Sequence, residues 1–80
     1  MSTNLEIVAT VIAEITGMDP AAIVPEANLV DDLYIDSVAK IELVVACQQH
    51  FGIYIPDEAI TELVTVRSVL NYLEVAQVTS

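Results

Sequence analysis

Residues 31–44 read Asp31-Asp32-Leu33-Tyr34-Ile35-Asp36-Ser37-Val38-Ala39-Lys40-Ile41-Glu42-Leu43-Val44. An acidic segment gives way here to an apolar run at helical spacing. Asp36 stands where a helix N-cap belongs, with Ser37 as the alternative cap. A helix is therefore predicted over residues 37–50. Val38, Ile41, Val45 and Gln48 trace one stripe along it, and Leu43, Val44 and Cys47 widen that stripe. Gly52, after Phe51, is the stop. Ser37 thus opens the helix with an exposed hydroxyl on a fixed backbone.

On the N-terminal side, a first helix is predicted over residues 5–16. Thr3 and Glu6 have capping-box spacing, and Gly17 ends the run. Leu5, Val8, Val11, Ile12 and Ile15 share a face that Ile7 widens. The connection over residues 17–36 is long for a small domain, and such connections are often functional. Asp19-Pro20 starts a short helical turn through Ala21, Ala22 and Ile23, and Pro25 ends it. Ile23, Leu29, Leu33 and Ile35 pin the connection to the core. Asn28 initiates a local turn, and Asp31 and Asp32 stay in water.

On the C-terminal side, Ile53-Tyr54-Ile55 alternates like a strand but has no partner strand, so it reads as an extended link covering the core. Asp57 and Glu58 begin a short helix carrying Ala59, Ile60 and Leu63. Thr65 caps a last helix over residues 66–75, with Val66, Val69, Leu70 and Leu73 facing inward. The expected architecture is all-α. It has three main helices, one or two short ones, and a long loop between helices one and two, forming a single domain over residues 1–80.

A chain of 80 residues buries only about 60–65% of the surface it would expose unfolded, too little for a deep cleft between two lobes. Twelve acidic side chains against two basic ones give a formal net charge of −10, which excludes nucleic acid as a partner. The fitting partners are proteins with basic patches, and the same charge keeps an apolar chain soluble. No apolar run approaches the ~20 residues of a membrane span, so no stable membrane insertion is expected. Residues 1–6 lack the positive flank of a signal peptide, which favours the cytoplasm. The single cysteine, Cys47, excludes an internal disulfide and, among apolar neighbours, reads as a small buried hydrophobe.

A catalytic Ser37 would need a base within hydrogen-bond reach. The only histidine, His50, lies thirteen residues along the same helix, about 20 Å away at 1.5 Å per residue. It serves more simply to meet the terminal carbonyls of that helix. Lys40 is closer but stands near Asp36, a carboxylate that holds it as a cation rather than a base. Ser37 is therefore not a nucleophile, and the chain is not an enzyme. Attachment needs placement rather than activation. A phosphate ester would sit well among the unpaired N–H groups of a first helical turn. The plainer alternative is that Asp36 and Ser37 are caps and nothing more. Tyr34 reads chiefly as a partly buried ring tying down the loop, with contact to an attached group as the other reading. Tyr72 belongs to the core or its edge.

The run from Asp31 to Val38, continued by Ile41-Glu42-Leu43-Val44, resembles the modification site of acyl carrier proteins. Phe51-Gly52-Ile53-Tyr54-Ile55-Pro56-Asp57-Glu58 is similar to that family's link into its short third helix, and Thr65-Val66 through Tyr72-Leu73 to its last helix. The resemblance implies a 4′-phosphopantetheine on Ser37, transferred from coenzyme A by a phosphopantetheinyl transferase. Its thiol would hold acyl intermediates as thioesters, of fatty acid or polyketide type, for acyl-loading, ketosynthase and acyl-transferring enzymes. Asp36, Val38 and Glu42 would be partner-recognition residues, and the protein a monomer. Helices built from small aliphatic side chains could part to admit an apolar tail. Between Ser37 and Phe51 the only charges are Lys40 and Glu42, whereas the family often has acid along this helix. That departure points to a specialised carrier of a polyketide or other secondary pathway. An aminoacyl or peptidyl carrier, or an unmodified acidic interaction domain, are the other readings.

Overall fold

In a computed structural model of the chain, which describes residues 3–79, Thr3 Oγ1 accepts from the Glu6 amide at 3.1 Å. Glu6 Oε1 in turn accepts from the Thr3 amide at 3.5 Å, completing the expected capping box. Met1 and Ser2, part of the start read for a signal peptide, lie outside the described residues. Helix α1 spans Asn4–Thr16 and buries Val8, Ala9, Val11 and Ile12. It stops at Gly17, whose φ of 78° is left-handed and whose amide donates to the Ala13 carbonyl at 2.8 Å.

The connection follows the predicted chemistry closely. Asp19 caps a 3-10 turn over Pro20–Ala22 by accepting from the Ala21 amide at 2.9 Å. Asn28 Oδ1 accepts from the amides of Val30 and Asp31, both at 2.9 Å. Asp32 is exposed, yet its Oδ2 accepts from the Asn28 amide at 2.7 Å. Ile23, Leu29, Leu33 and Ile35 are all buried, and Ala27 joins them.

What the sequence did not disclose is the partner of this loop's backbone. The Leu29 amide donates to the Val64 carbonyl at 2.9 Å. The Val66 and Arg67 amides donate back, to Ala27 at 3.0 Å and Pro25 at 2.8 Å. Asn28 and Thr65 thereby form one isolated antiparallel bridge, the nearest approach to a sheet among the described residues. These bonds also satisfy two of the N–H groups that the start of the last helix leaves open. Arg67 adds an exposed ion pair to Glu26 at 2.9 Å, which is worth little by itself.

Helix α2 runs Ser37–Phe51, α3 Asp57–Ile60 and α4 Val66–Thr79. The all-α expectation of three main helices with short accessory turns holds. Helix α4 continues past the expected end at 75, since Ala76 and Gln77 are good helix formers and no Gly or Pro intervenes. Its first turn is locked by Thr65 Oγ1, which accepts from the Ser68 amide at 3.2 Å. Leu63 lies beyond α3 and is buried from the following turn. Residues 53–55 are an extended link with Ile55 buried, as expected, and Tyr72 at the core edge donates its hydroxyl to the Tyr54 carbonyl at 3.3 Å.

A correction concerns α2. Its core side is Leu43, Val44 and Cys47, with Ala39, Ala46 and Phe51 half-buried beside them. The stripe read first from the sequence, Val38, Ile41 and Val45, faces water at 68, 50 and 43% exposure. The helix is apolar on two faces, so periodicity alone could not choose between them.

Candidate functional site

The segment before α2 is held from both sides. Leu33 and Ile35 are buried, and the Ile35 amide donates to the Leu29 carbonyl at 2.8 Å. Between them Tyr34 adopts φ 57°, the one non-glycine residue in the left-handed region among those described. This reversal lets its neighbours both point inward and sends the Tyr34 ring into solvent, 83% exposed. The expected partly buried ring is thus overturned: Leu33 and Ile35 tie the loop down, and Tyr34 does not.

The chain leaves the core at Ile35 and enters α2 at once. Asp36 is the N-cap, its Oδ1 accepting from the Ala39 amide at 2.8 Å and its carbonyl from the Lys40 amide at 2.9 Å. Ser37 is the first residue of the helix and is exposed. The N–H groups of Ser37 and Val38 precede the first intrahelical bonds and have no partner among the described residues. They carry the positive end of the helix dipole.

Among the described residues, no side chain hydrogen-bonds to Ser37. His50 is exposed in the last turn of α2, at the opposite end. Cys47 is buried at 1% exposure, and desolvation pushes its thiol up to about 11, so it offers no thiolate at neutral pH. The arrangement can present a hydroxyl. Among the described residues, no group is positioned to activate one.

Asp36 and Val38 flank Ser37 and are exposed, as is Glu42 farther along the helix. Val38 begins a ridge that Ile41 and Val45 continue. Sequence reasoning had these residues on a stripe without its direction. Nothing in the sequence chose between that side and the opposite one, which Leu43 and Val44 take. Gln48 is not part of the exposed surface chemistry, because its Oε1 accepts from the Ile55 amide at 2.8 Å.

A family profile described as a phosphopantetheine attachment site matches residues 6–73. The acyl carrier protein of Thermobifida fusca (strain YX) is 44% identical over 70 residues, covering 88% of this chain and 89% of the relative. The chain belongs to the acyl carrier protein family. The acyl carrier protein of Thermosynechococcus vestitus is 41% identical over 72 residues, 90% of this chain and 89% of the relative. The meromycolate extension acyl carrier protein of Mycobacterium leprae is 42% identical over 67 residues, 84% of this chain but 58% of that longer protein. The family's cofactor is 4′-phosphopantetheine, attached covalently. The residues present fit such a group: an exposed hydroxyl, free of side-chain partners, stands beside two unpaired N–H groups at a helix N-terminus.

Proposed function

We propose that Ser37 carries the phosphopantetheine and that the chain presents acyl intermediates on it as thioesters. The observation that carries this reading is the exposed Ser37 hydroxyl at the start of α2, inside the matched span and backed by a loop pinned at both ends. In loading, Ser37 Oγ forms a bond to the phosphorus of the phosphopantetheine half of coenzyme A. The nucleotide half leaves, and the serine proton passes to the transferase or to water. The bound arm supplies a terminal thiol for thioester chemistry. Residues 1–80 act as one carrier domain, a monomer in the cytoplasm, and the bond-making groups belong to its partners.

Tethering explains why so small a protein suffices. An acyl group on an arm reaches a partner's active site at high effective concentration once the carrier docks. Asp36, Val38 and Glu42 are the recognition residues for a phosphopantetheinyl transferase and for acyl-loading, ketosynthase and acyl-transferring enzymes. Ile41 and Val45 extend the apolar contact begun by Val38. With only Lys40 and Glu42 charged on α2, docking there is chiefly hydrophobic, while Asp31 and Asp36 supply charge on the approach. This balance supports a carrier specialised for a polyketide or other secondary pathway.

The test is incubation with coenzyme A and a broad-range phosphopantetheinyl transferase, followed by intact mass. A phosphopantetheine-sized gain that disappears in Ser37→Ala is the expected result. No gain, under conditions that load a control carrier, would overturn the reading. Intact mass of the protein from its native cells then identifies the cargo, an aminoacyl group included.

A further inference from the structure

A cleft of about 320 Å³ opens beside Ser37, between the end of α1, the loop and the start of α2. It is lined by Ile15, Thr16 and Met18 from the end of α1 and just beyond, Leu33 and Tyr34 from the loop, and Asp36 and Ala39 from the start of α2. We infer that this cleft receives the arm attached at Ser37 and holds its amide-bearing part against the protein body. The inference rests on Ser37 as the attachment point.

Placement is the first argument. Asp36 and Ala39 line the cleft on either side of Ser37 in the chain, while Ser37 itself does not line it, so a group bonded to Oγ enters by folding back over the start of α2. The lining chemistry is the second. Phosphopantetheine alternates amide groups with methyl and methylene groups, and such a chain wants apolar walls with a few polar partners. Ile15, Met18, Leu33 and Ala39 supply the walls. Asp36 gives Oδ1 to the Ala39 amide, which leaves Oδ2 to accept from an amide N–H of the arm. The size, at the small end of the ~300–1,000 Å³ typical of ligand pockets, suits a slender chain rather than a bulky ligand.

Tyr34 is the third. A bulky non-glycine residue at φ 57° is strained relative to an ordinary conformation, and such strain concentrates at functional sites. Here it stands a large exposed ring at the mouth of the cleft. A larger cleft of about 530 Å³ is lined by Leu5, Glu6 and Ala9 with Pro20, Ile23 and Pro25 among others, at the opposite end of α1. A third, lined by Ala59, Leu63, Ser68 and Tyr72 among others, draws nothing from residues 33–40.

The experiment compares NMR spectra of the full chain before and after enzymatic loading, with loading first verified by intact mass. Loaded protein should shift the Ile15 and Met18 methyl signals and give through-space contacts from the arm's methyl groups to Met18 and the Tyr34 ring. Tyr34→Gly, and Tyr34→Asn as a second left-handed-tolerant variant, should load fully while the Met18 shift falls to less than half. A fully loaded protein whose changes stay within residues 36–39, or appear at Ala59, Leu63 and Tyr72 instead, overturns the inference. Failure to gain mass is a separate outcome and overturns the attachment reading beneath it.

Discussion

Gln48 reaches from the last turns of α2 to accept the Ile55 amide at 2.8 Å, joining the helix to the extended link that follows it. Ile55 is buried, so its N–H has little water to fall back on. Gln48→Ala should cost about 1 kcal/mol, which lowers Tm by about 4–8 °C in a domain of this size. Gln48→Glu keeps an acceptor at the same reach and should stay close to the parent. Urea denaturation of the two variants side by side tests the bond, and equal losses would show that it contributes nothing.

Asp36 has two separable roles. Its Oδ1 caps α2 through the Ala39 amide at 2.8 Å, and its charge sits next to Ser37. Asp36→Ala should lose about 1 kcal/mol of stability with the cap. Asp36→Asn keeps a capping oxygen, so its stability should stay within about 0.5 kcal/mol of the parent while loading by the transferase slows. If Asn loads as fast as Asp, the negative charge plays no part in recognition.

The outward ridge of α2 makes a further prediction. Ile41 is half exposed and away from the core, so Ile41→Asp should change stability by no more than about 0.5 kcal/mol. Turnover by an acyl-transferring partner should nevertheless fall at least tenfold, because a charge would be buried against an apolar contact. Unchanged turnover with the cognate partner would remove the ridge from the docking surface. Acid placed at Gln49, which is exposed, tests the complementary charge argument with primary fatty-acid enzymes. Ala39 and Gln48 are poor positions for it, the first half-buried and the second already committed to Ile55.

Burial of Cys47 sets an alkaline limit. Its thiol moves from an ordinary 9.0 up to about 11 through desolvation. The unfolded chain then releases the proton first, so stability falls as pH rises between about 9 and 11 and is fully present below 9. Denaturation curves at pH 7, 9 and 10.5 should show a steeper decline for the parent than for Cys47→Ala. The native thiol should also resist alkylation at pH 8 and react once denaturant is added. Rapid native labelling would contradict the burial.

Much of this was legible because local chemistry and tertiary placement agree. Thr3 with Glu6, Asp19 before Pro20, and Asp36 before Ser37 each announce a cap that forms. Ile23, Leu29, Leu33 and Ile35 could be read as anchors because they are the large aliphatic residues that punctuate an otherwise polar and turn-rich connection. The direction of α2 was not legible, since aliphatic residues occupy both of its faces and only the neighbouring helices decide which is covered. Tyr34 was misread for a related reason: it stands between Leu33 and Ile35, both buried, with a left-handed backbone that no single residue signals. The pairing of residues 25–29 with 64–67 joins segments far apart in the chain and leaves no local mark.

That pairing also has a meaning in time. A ribosome makes the serine well before it makes Val64, Val66 and Arg67, the residues whose backbone completes the support of the loop. The setting of Ser37 is therefore finished by the last third of the chain, through contacts of long sequence separation. An enzyme that recognises the finished helix entrance, rather than a short peptide, would pass over nascent and truncated chains. Cofactor would then be spent only on carriers that have already folded.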